Sequence, residues 1–170
     1  CFDCRQVLYE ESMFDGQKVS KSRIITSVDY SMVSMEAFEI YAANHDIHVM
    51  DFVLKLDAYS YYMMNLLDYL IGNTDRHWGN WGFLVDNRTN QPVRLFDLMD
   101  LNQTFLAYDT PDGANCMTTG NRKMSQREAA VEAVKKIGLN QRAEIKDEWF
   151  EGREKEREMF WCRFGILKEQ

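Results

Sequence analysis

Apolar side chains recur every three or four positions over residues 57–71 of this 170-residue chain. This spacing places them along one side of an α-helix, and the line is wide enough to be buried. Its members are Tyr59, Tyr62, Met63, Leu66, Leu67 and Leu70. Gly72 and Asn73 follow directly, and both residue types tolerate the left-handed backbone that commonly ends a helix. The pattern predicts a long buried helix that ends in a polar loop.

After this loop the apolar period changes from helical spacing to two. The alternating apolar positions are Trp81, Phe83 and Val85. Such alternation is typical of a β-strand, whose successive side chains point to opposite faces. Residues 86–91 are rich in turn formers, and a second strand-like stretch follows them. The sequence therefore predicts an antiparallel hairpin with strands at 81–85 and 92–96.

Further helices are predicted on both sides of this region. Apolar residues three and four apart indicate a helix at about 33–44. Ser125 and Glu128 have the spacing of a capping box, which predicts a helix over 126–137. A last, strongly charged helix is predicted within 147–164. We therefore expect a mainly α fold with a short β-hairpin (α+β).

The domain organisation follows from the same pattern. Residues 1–30 have no clear periodicity and are interpreted as an N-terminal extended segment. Residues 31–170 are interpreted as a single domain, because one domain commonly takes ~100–200 residues. Residues 107–122, rich in Gly, Thr, Asn and Asp, predict a long loop within it.

Composition and charge exclude several classes of protein. The chain is 45% hydrophobic and 28% charged, as in an ordinary globular protein. Its net charge of −7 argues against direct nucleic-acid binding, which usually needs a basic face. There is no apolar run of ~18 residues, so no membrane span is expected. No secretory signal is visible, so a cytoplasmic location is expected.

Two features of the first residues bear on the chain's context. The chain begins with Cys1 rather than Met, which suggests a domain excised from a longer protein. Cys1 and Cys4 form a C-x-x-C pair that could be half of a zinc site, but no second pair follows. The alternative is that these are reduced thiols of a cytoplasmic protein.

The candidate chemistry lies in the loop after the 57–71 helix and at the end of the hairpin. Asp75 and Asn80 are five residues apart in the loop, and Asp97 follows the second predicted strand. A hairpin brings Asp97 back towards Asn80, so three oxygen-bearing side chains could converge. Phosphoryl transfer needs an oriented nucleophile and metal ions held against phosphate oxygens. Mg²⁺ prefers such hard oxygen ligands. The alternative is that these residues only form turns.

The loop Asn73-Thr-Asp-Arg-His-Trp-Gly-Asn80 resembles the catalytic loop of the HipA-like kinases. In that family a His follows the Asp by two residues and an Asn follows it by five. A short hairpin then leads to an apolar-aromatic-Asp step, matched here by Leu95-Phe96-Asp97. The resemblance covers about residues 30–165. The phosphoinositide-kinase group shares the D-R-H loop, but the compact hairpin and helical tail favour the HipA-like pattern.

The resemblance implies the helical C-terminal lobe of a protein-kinase-like fold and transfer of the ATP γ-phosphate to a Ser or Thr hydroxyl. Asp75 would orient or deprotonate that hydroxyl, and His77 would lie near the transferred phosphate. Asn80 and Asp97 would hold Mg²⁺ and so bind the nucleotide. Arg76 would contact phosphate or pair with an acidic neighbour.

The resemblance also implies partners that this chain does not supply. A complete kinase has an N-terminal lobe with a Gly-rich loop and a strand lysine, and neither is found in the sequence. We therefore expect the missing lobe or a partner chain to complete the site, a protein substrate, and a small DNA-binding partner as in many HipA-like kinases. Without that lobe, the chain alone is expected to bind nucleotide weakly.

Two other hypotheses stay open at this point. The chain could belong to a phosphoinositide- or small-molecule-kinase relative that shares the D-R-H loop. Alternatively, it could be a non-catalytic helical binding module of a toxin–antitoxin or DNA-associated protein.

Overall fold

The computed structural model describes residues 1–105 and 110–170 and combines helices with antiparallel strands. The strands are β1 (Tyr9–Phe14), β2 (Gln17–Ser22), β3 (Tyr30–Ser34), β4 (Gly82–Asp86) and β5 (Gln91–Leu95). The helices are α1 (Met35–Ala43), α2 (Val49–Ile71), α3 (Gln126–Ile137) and α4 (Glu154–Lys168), with a 3₁₀ turn at Asp147–Phe150. Of the predicted loop 107–122, residues 107–109 lie outside the described residues.

The prediction of a mainly α fold is wrong. About 38% of the chain is helical and 20% is strand, so the fold is α+β with two antiparallel sheets. Strands β1 and β2 form one sheet, and β3 adds a third strand to the predicted hairpin, in the order β3-β4-β5. The first hairpin was missed because nearly all of its residues are exposed, so no apolar alternation marks it.

The predicted hairpin is confirmed, with each strand offset by one residue from its expected bounds. Phe83 pairs with Leu95 and Asp86 with Gln91, in antiparallel register. Pro92 fits because β5 is an edge strand, where a residue without an N–H leaves no neighbour unpaired. On the other side, β4 approaches β3 so closely that a Cβ on Gly82 would lie 2.1 Å from the carbonyl oxygen of Val33.

The predicted helices are also present, but the last one, α4, ends four residues beyond the expected range of 147–164. Helix α2 extends further towards its N-terminus than expected. It begins at Val49 and is interrupted at Asp57, whose φ of −153° is not helical. The Asp57 carboxylate accepts the N–H of Ser60 at 3.2 Å, so it caps the second half of the helix. This second half corresponds to the predicted 57–71 helix. Helix α3 has the predicted bounds and the predicted capping box at Ser125.

The core surrounds the second half of α2. Every residue from Tyr61 to Leu70 is buried there, and α2 packs against β5, α3 and α4. The Phe38 ring packs edge-on against Phe83 at 4.6 Å, which joins α1 to the sheet. None of the helices in the described ranges is long and apolar enough to cross a membrane. The loop that follows α2 is attached to this buried core.

Candidate active site

Gly72 ends α2 and turns the chain into the candidate catalytic loop. Its φ of 61° lies in the left-handed region, which costs other residues ~1–2 kcal/mol. A Cβ there would also lie 2.9 Å from the Arg163 guanidinium nitrogen Nη1. That guanidinium donates to the Tyr69 carbonyl oxygen at 2.7 Å, so it is held beside the end of the helix.

Gly72→Ala is therefore expected to lower the free energy of unfolding by about 2 kcal/mol, through backbone strain and displacement of Arg163. The control is Gly16→Ala, where φ is also positive but no atom lies within 4 Å of the added Cβ. Denaturant unfolding of both variants checks this. Equal losses in the two variants would contradict the contribution of the Arg163 contact.

Beneath the loop lies a buried ion pair between Arg76 and Asp68. Arg76 Nε and Nη2 donate to the two carboxylate oxygens of Asp68 at 2.8 and 3.0 Å. Asn73 donates to the same carboxylate at 2.9 Å. Arg76 also donates to the backbone carbonyls of Asn80 and Met99, both at 2.7 Å. Arg76 thus pairs with an acidic neighbour, the second of its two expected roles, and ties the loop to the segment after β5.

Asn80 closes the loop onto Asp75. The Asn80 side-chain amide donates to the Asp75 backbone carbonyl at 2.8 Å, and the Asp75 N–H donates to the Asn73 side chain at 3.2 Å. These bonds hold Asp75 through its backbone and leave its carboxylate 43% exposed. In the described ranges the carbonyl oxygen of the Asn80 amide receives no hydrogen bond, so it is available to a cation.

His77 lies beside the Asp75 carboxylate. Its Nδ1 accepts the N–H of Gly79 at 3.0 Å, because a backbone amide can only donate. In the neutral ring the proton is therefore on Nε2, which lies 3.8 Å from Asp75 Oδ1. The imidazole is 48% exposed, so both groups are accessible from solvent.

Asp97 follows β5 and lines the same small cavity as Asn80. Arg94 donates to one of its carboxylate oxygens at 2.5 Å. The other oxygen has no hydrogen-bond partner in the part of the chain that the structure describes. The cavity measures about 30 Å³, room for a water but not for a nucleotide. Asn80 and Asp97 thus line one cavity, whereas Asp75, the third residue expected to converge with them, does not line it.

Trp81 lines this cavity as well, and it is 4% exposed. Within residues 1–105 and 110–170 its indole N–H has no acceptor. A buried donor without a partner costs ~1–3 kcal/mol. The rings of Trp78 and Trp81 lie 6.2 Å apart and pack against the core, consistent with anchors of the loop.

The C-x-x-C pair of the first residues is not assembled into a metal site. The Cys1 thiol is exposed, and Cys4 packs against the core. Burial raises the pKa of the Cys4 thiol, which therefore stays protonated at neutral pH. No group of three or more His, Cys, Asp or Glu residues is placed to hold a metal ion in the described ranges.

Two groups of this site escaped sequence analysis. Asp68 lies within the apolar stretch of α2, and a carboxylate surrounded there by buried positions is itself a signal of a buried ion pair. Arg94 is in β5, which ends at Leu95, and it contacts Asp97 just after the end of that strand. Its spacing of three residues from Asp97 carries no strong signal in a strand.

Comparison with known proteins adds evidence on the fold. No family model matches the sequence. No curated protein matches it either. Among solved structures, the chain is similar to the proinflammatory kinase CtkA of Helicobacter pylori, with a TM-score of 0.60 and 14% sequence identity. The similarity covers 98% of this chain and 76% of that kinase. The fold is therefore kinase-like.

Proposed function

We propose that this chain provides the catalytic loop of an ATP- and Mg²⁺-dependent kinase that phosphorylates protein hydroxyl groups. The observation that carries the proposal is the convergence of Asn80 and Asp97 on one cavity, with Asp75 tied to Asn80 by a hydrogen bond, in a kinase-like fold. Asn80 thus connects the other two residues: it shares the cavity with Asp97 and bonds to the backbone carbonyl of Asp75.

The donor set of the cavity fits Mg²⁺. Asn80 offers an amide oxygen and Asp97 a carboxylate oxygen, each without a hydrogen bond in the described ranges. Mg²⁺ typically binds one or two protein oxygens together with phosphate oxygens and waters. When bound with ATP, the metal supplies positive charge against the phosphates during transfer. Asn80 and Asp97 would hold it there, with Arg94 donating to one oxygen of the Asp97 carboxylate.

The Asp75 carboxylate is partly exposed, as expected of a group that contacts the acceptor hydroxyl. Its carboxylate is free to accept a hydrogen bond from a Ser or Thr hydroxyl and to take its proton. His77 Nε2 lies 3.8 Å from Asp75 Oδ1, and its N–H would stabilise the negative charge of the Asp75 carboxylate. Arg76 is buried below, so its contribution is to hold the loop rather than to contact phosphate.

We propose a cytoplasmic location for the protein, in keeping with its four free cysteines, because a reducing compartment keeps thiols unpaired.

Asp97→Asn is expected to weaken Mg²⁺-dependent ATP binding ~10–100-fold, because one charged contact is worth ~1.5–3 kcal/mol. Calorimetry on the full-length protein that contains this chain measures it. The matched control is Asp86→Asn, which makes the same change at the turn end of the same hairpin. EDTA should abolish the difference between parent and Asp97→Asn. Equal affinities of the two variants for Mg²⁺–ATP would overturn the proposed metal site.

A further inference from the structure

An open groove of about 700 Å³ lies on one side of the candidate catalytic loop. It runs between α1, the first turns of α2 and the loop 119–122. Its size is within the range of ligand-binding clefts, ~300–1,000 Å³. Its apolar wall is formed by Ala43, Ile47, Val49, Met50, Leu54 and Trp78. The small cavity at Asn80 shares none of these residues, so the groove is a separate surface.

The groove is continuous with the loop that carries Asp75. Trp78, which lines the groove, is three residues after Asp75. The Trp78 carbonyl accepts the N–H of Glu36 at 3.0 Å, so the first turn of α1 is fixed on the loop. Residues three and four apart share a helix face, and Glu36, Glu39 and Ala43 have this spacing. One face of α1 therefore leads from the loop into the groove.

The charge of the groove is negative. Glu39 is exposed and has no ion pair in the part of the chain that the structure describes. Asp51 lies 3.1 Å from His48, a pair that is charged on both sides only when the imidazole is protonated. Glu132 is neutralised by Arg122 at 2.8 Å. Glu39 thus has no counter-charge in the described ranges, and Asp51 is paired with an imidazole rather than with a Lys or Arg, beside an apolar wall.

We propose that this groove binds an extended segment of the acceptor protein in which Lys or Arg residues flank an apolar side chain close to the phosphorylated hydroxyl. The apolar wall would take the apolar side chain, and Glu39 and Asp51 would pair with the cations. The excess of carboxylates disfavours nucleotides, nucleic acids and anionic lipids, and it is complementary to a basic polypeptide. The inference rests on the proposed function, because the acceptor hydroxyl must reach Asp75.

The probe, called the Lys peptide, is a fluorescein-labelled peptide of twelve residues with one Ser between Lys and Leu residues. The control, called the Glu peptide, has Glu in place of every Lys. Fluorescence anisotropy with the full-length protein, in the absence of ATP, measures binding alone. The Lys peptide is expected to bind at least about tenfold more tightly than the Glu peptide. Added salt should weaken its binding, because exposed charges are screened.

Variants of the groove test where the peptide binds. The double variant Glu39→Gln/Asp51→Asn is expected to bind the Lys peptide about tenfold more weakly, since each lost pair contributes modestly. The matched control is Glu10→Gln/Glu11→Gln, which makes the same charge change on the first hairpin. Ala43→Trp should block the groove, and because Ala43 is exposed the substitution is compatible with folding. Melting temperatures confirm that all variants are folded.

The outcomes separate the groove from the proposed kinase activity. Binding of the Lys peptide by both groove variants as tightly as by the hairpin control would overturn the inference. Phosphorylation of the Lys peptide with a KM unchanged in the groove variants would overturn it as well, and would leave the kinase proposal standing. The parent protein could instead bind the Lys peptide but transfer no phosphate, while the groove variants bind it weakly. That result would support the groove and overturn the kinase proposal.

Discussion

Replacement of Arg76 by methionine is expected to lower the free energy of unfolding by about 3–5 kcal/mol, because the Asp68 carboxylate would stay buried without its counter-charge. Arg76 and Asp68 are each 3% exposed. The guanidinium also donates to the carbonyl oxygens of Asn80 and Met99, and both would lose that donor. Denaturant unfolding followed by circular dichroism gives the change, and Mg²⁺–ATP affinity should fall with it because the loop is released.

Two companion variants identify the cause of this loss. Arg88→Met removes the partner of Asp86 at the protein surface, and it should affect stability far less. The double variant Asp68→Leu/Arg76→Met leaves no unpaired charge in the core, so it should be more stable than Arg76→Met alone. A loss in Arg76→Met as small as that in Arg88→Met would contradict the role of Arg76 in holding the loop.

Elements that depend on local pattern could be predicted from the sequence. The second half of α2 is visible because its apolar positions repeat at helical spacing and the helix is buried. Helix α3 is visible from Ser125 and Glu128, whose reciprocal bonds form as expected. The hairpin β4–β5 is visible because β4 is almost wholly buried and a short turn follows it. In each case the information lies within a few residues of the element.

The missed strands lack such local information. Strand β3 is stabilised by pairing with β4, and its partners Tyr30 and Asp86 are far apart in the sequence. In the part of the chain that the structure describes, strands β1 and β2 form a sheet of their own and bury almost nothing, so they show no alternation. Their turn does carry a signal, since Asp15 and Gly16 both have positive φ and Asp-Gly is typical of tight hairpins. Greater weight on that dipeptide would have predicted this hairpin.

The residues of the candidate site also differ in how far the sequence predicts them. Asp75, Asn80 and Asp97 could be proposed because their spacing and order are characteristic, and the hairpin geometry brings Asn80 and Asp97 together. The side chains that hold the site were harder to predict: an acidic partner was expected for Arg76, but neither Asp68 nor Arg94 was identified. Asp68 reaches Arg76 through the tertiary fold, and Arg94 reaches Asp97 through the bend after β5. Contacts of this kind depend on side-chain packing that no short motif encodes.

Asp75→Asn is expected to lower phosphate transfer ~10²–10⁴-fold, the contribution of a positioned general base. Asn keeps the shape of the side chain but lacks the charge that orients the acceptor hydroxyl and takes its proton. The hydrogen bonds that hold the loop involve the backbone N–H and carbonyl of Asp75, so they survive the substitution. The fold and the affinity for Mg²⁺–ATP should therefore stay close to those of the parent.

The control for this substitution is Asp46→Asn. Asp46 lies in the turn between α1 and α2 with a φ of 52°, a backbone conformation that Asn adopts readily. It is a turn residue, so its replacement should be silent. If Asp75 were only a turn residue too, both variants would behave alike.

The most direct measurement is transfer of the γ-phosphate of labelled ATP to protein by the full-length protein that contains this chain. The parent, Asp75→Asn and Asp46→Asn are compared side by side, with their melting temperatures. The proposed function predicts Mg²⁺-dependent transfer by the parent and by Asp46→Asn, and transfer at least about 100-fold slower by a folded Asp75→Asn. Near-parental transfer by folded Asp75→Asn, or no transfer by the parent with any protein acceptor, would contradict it.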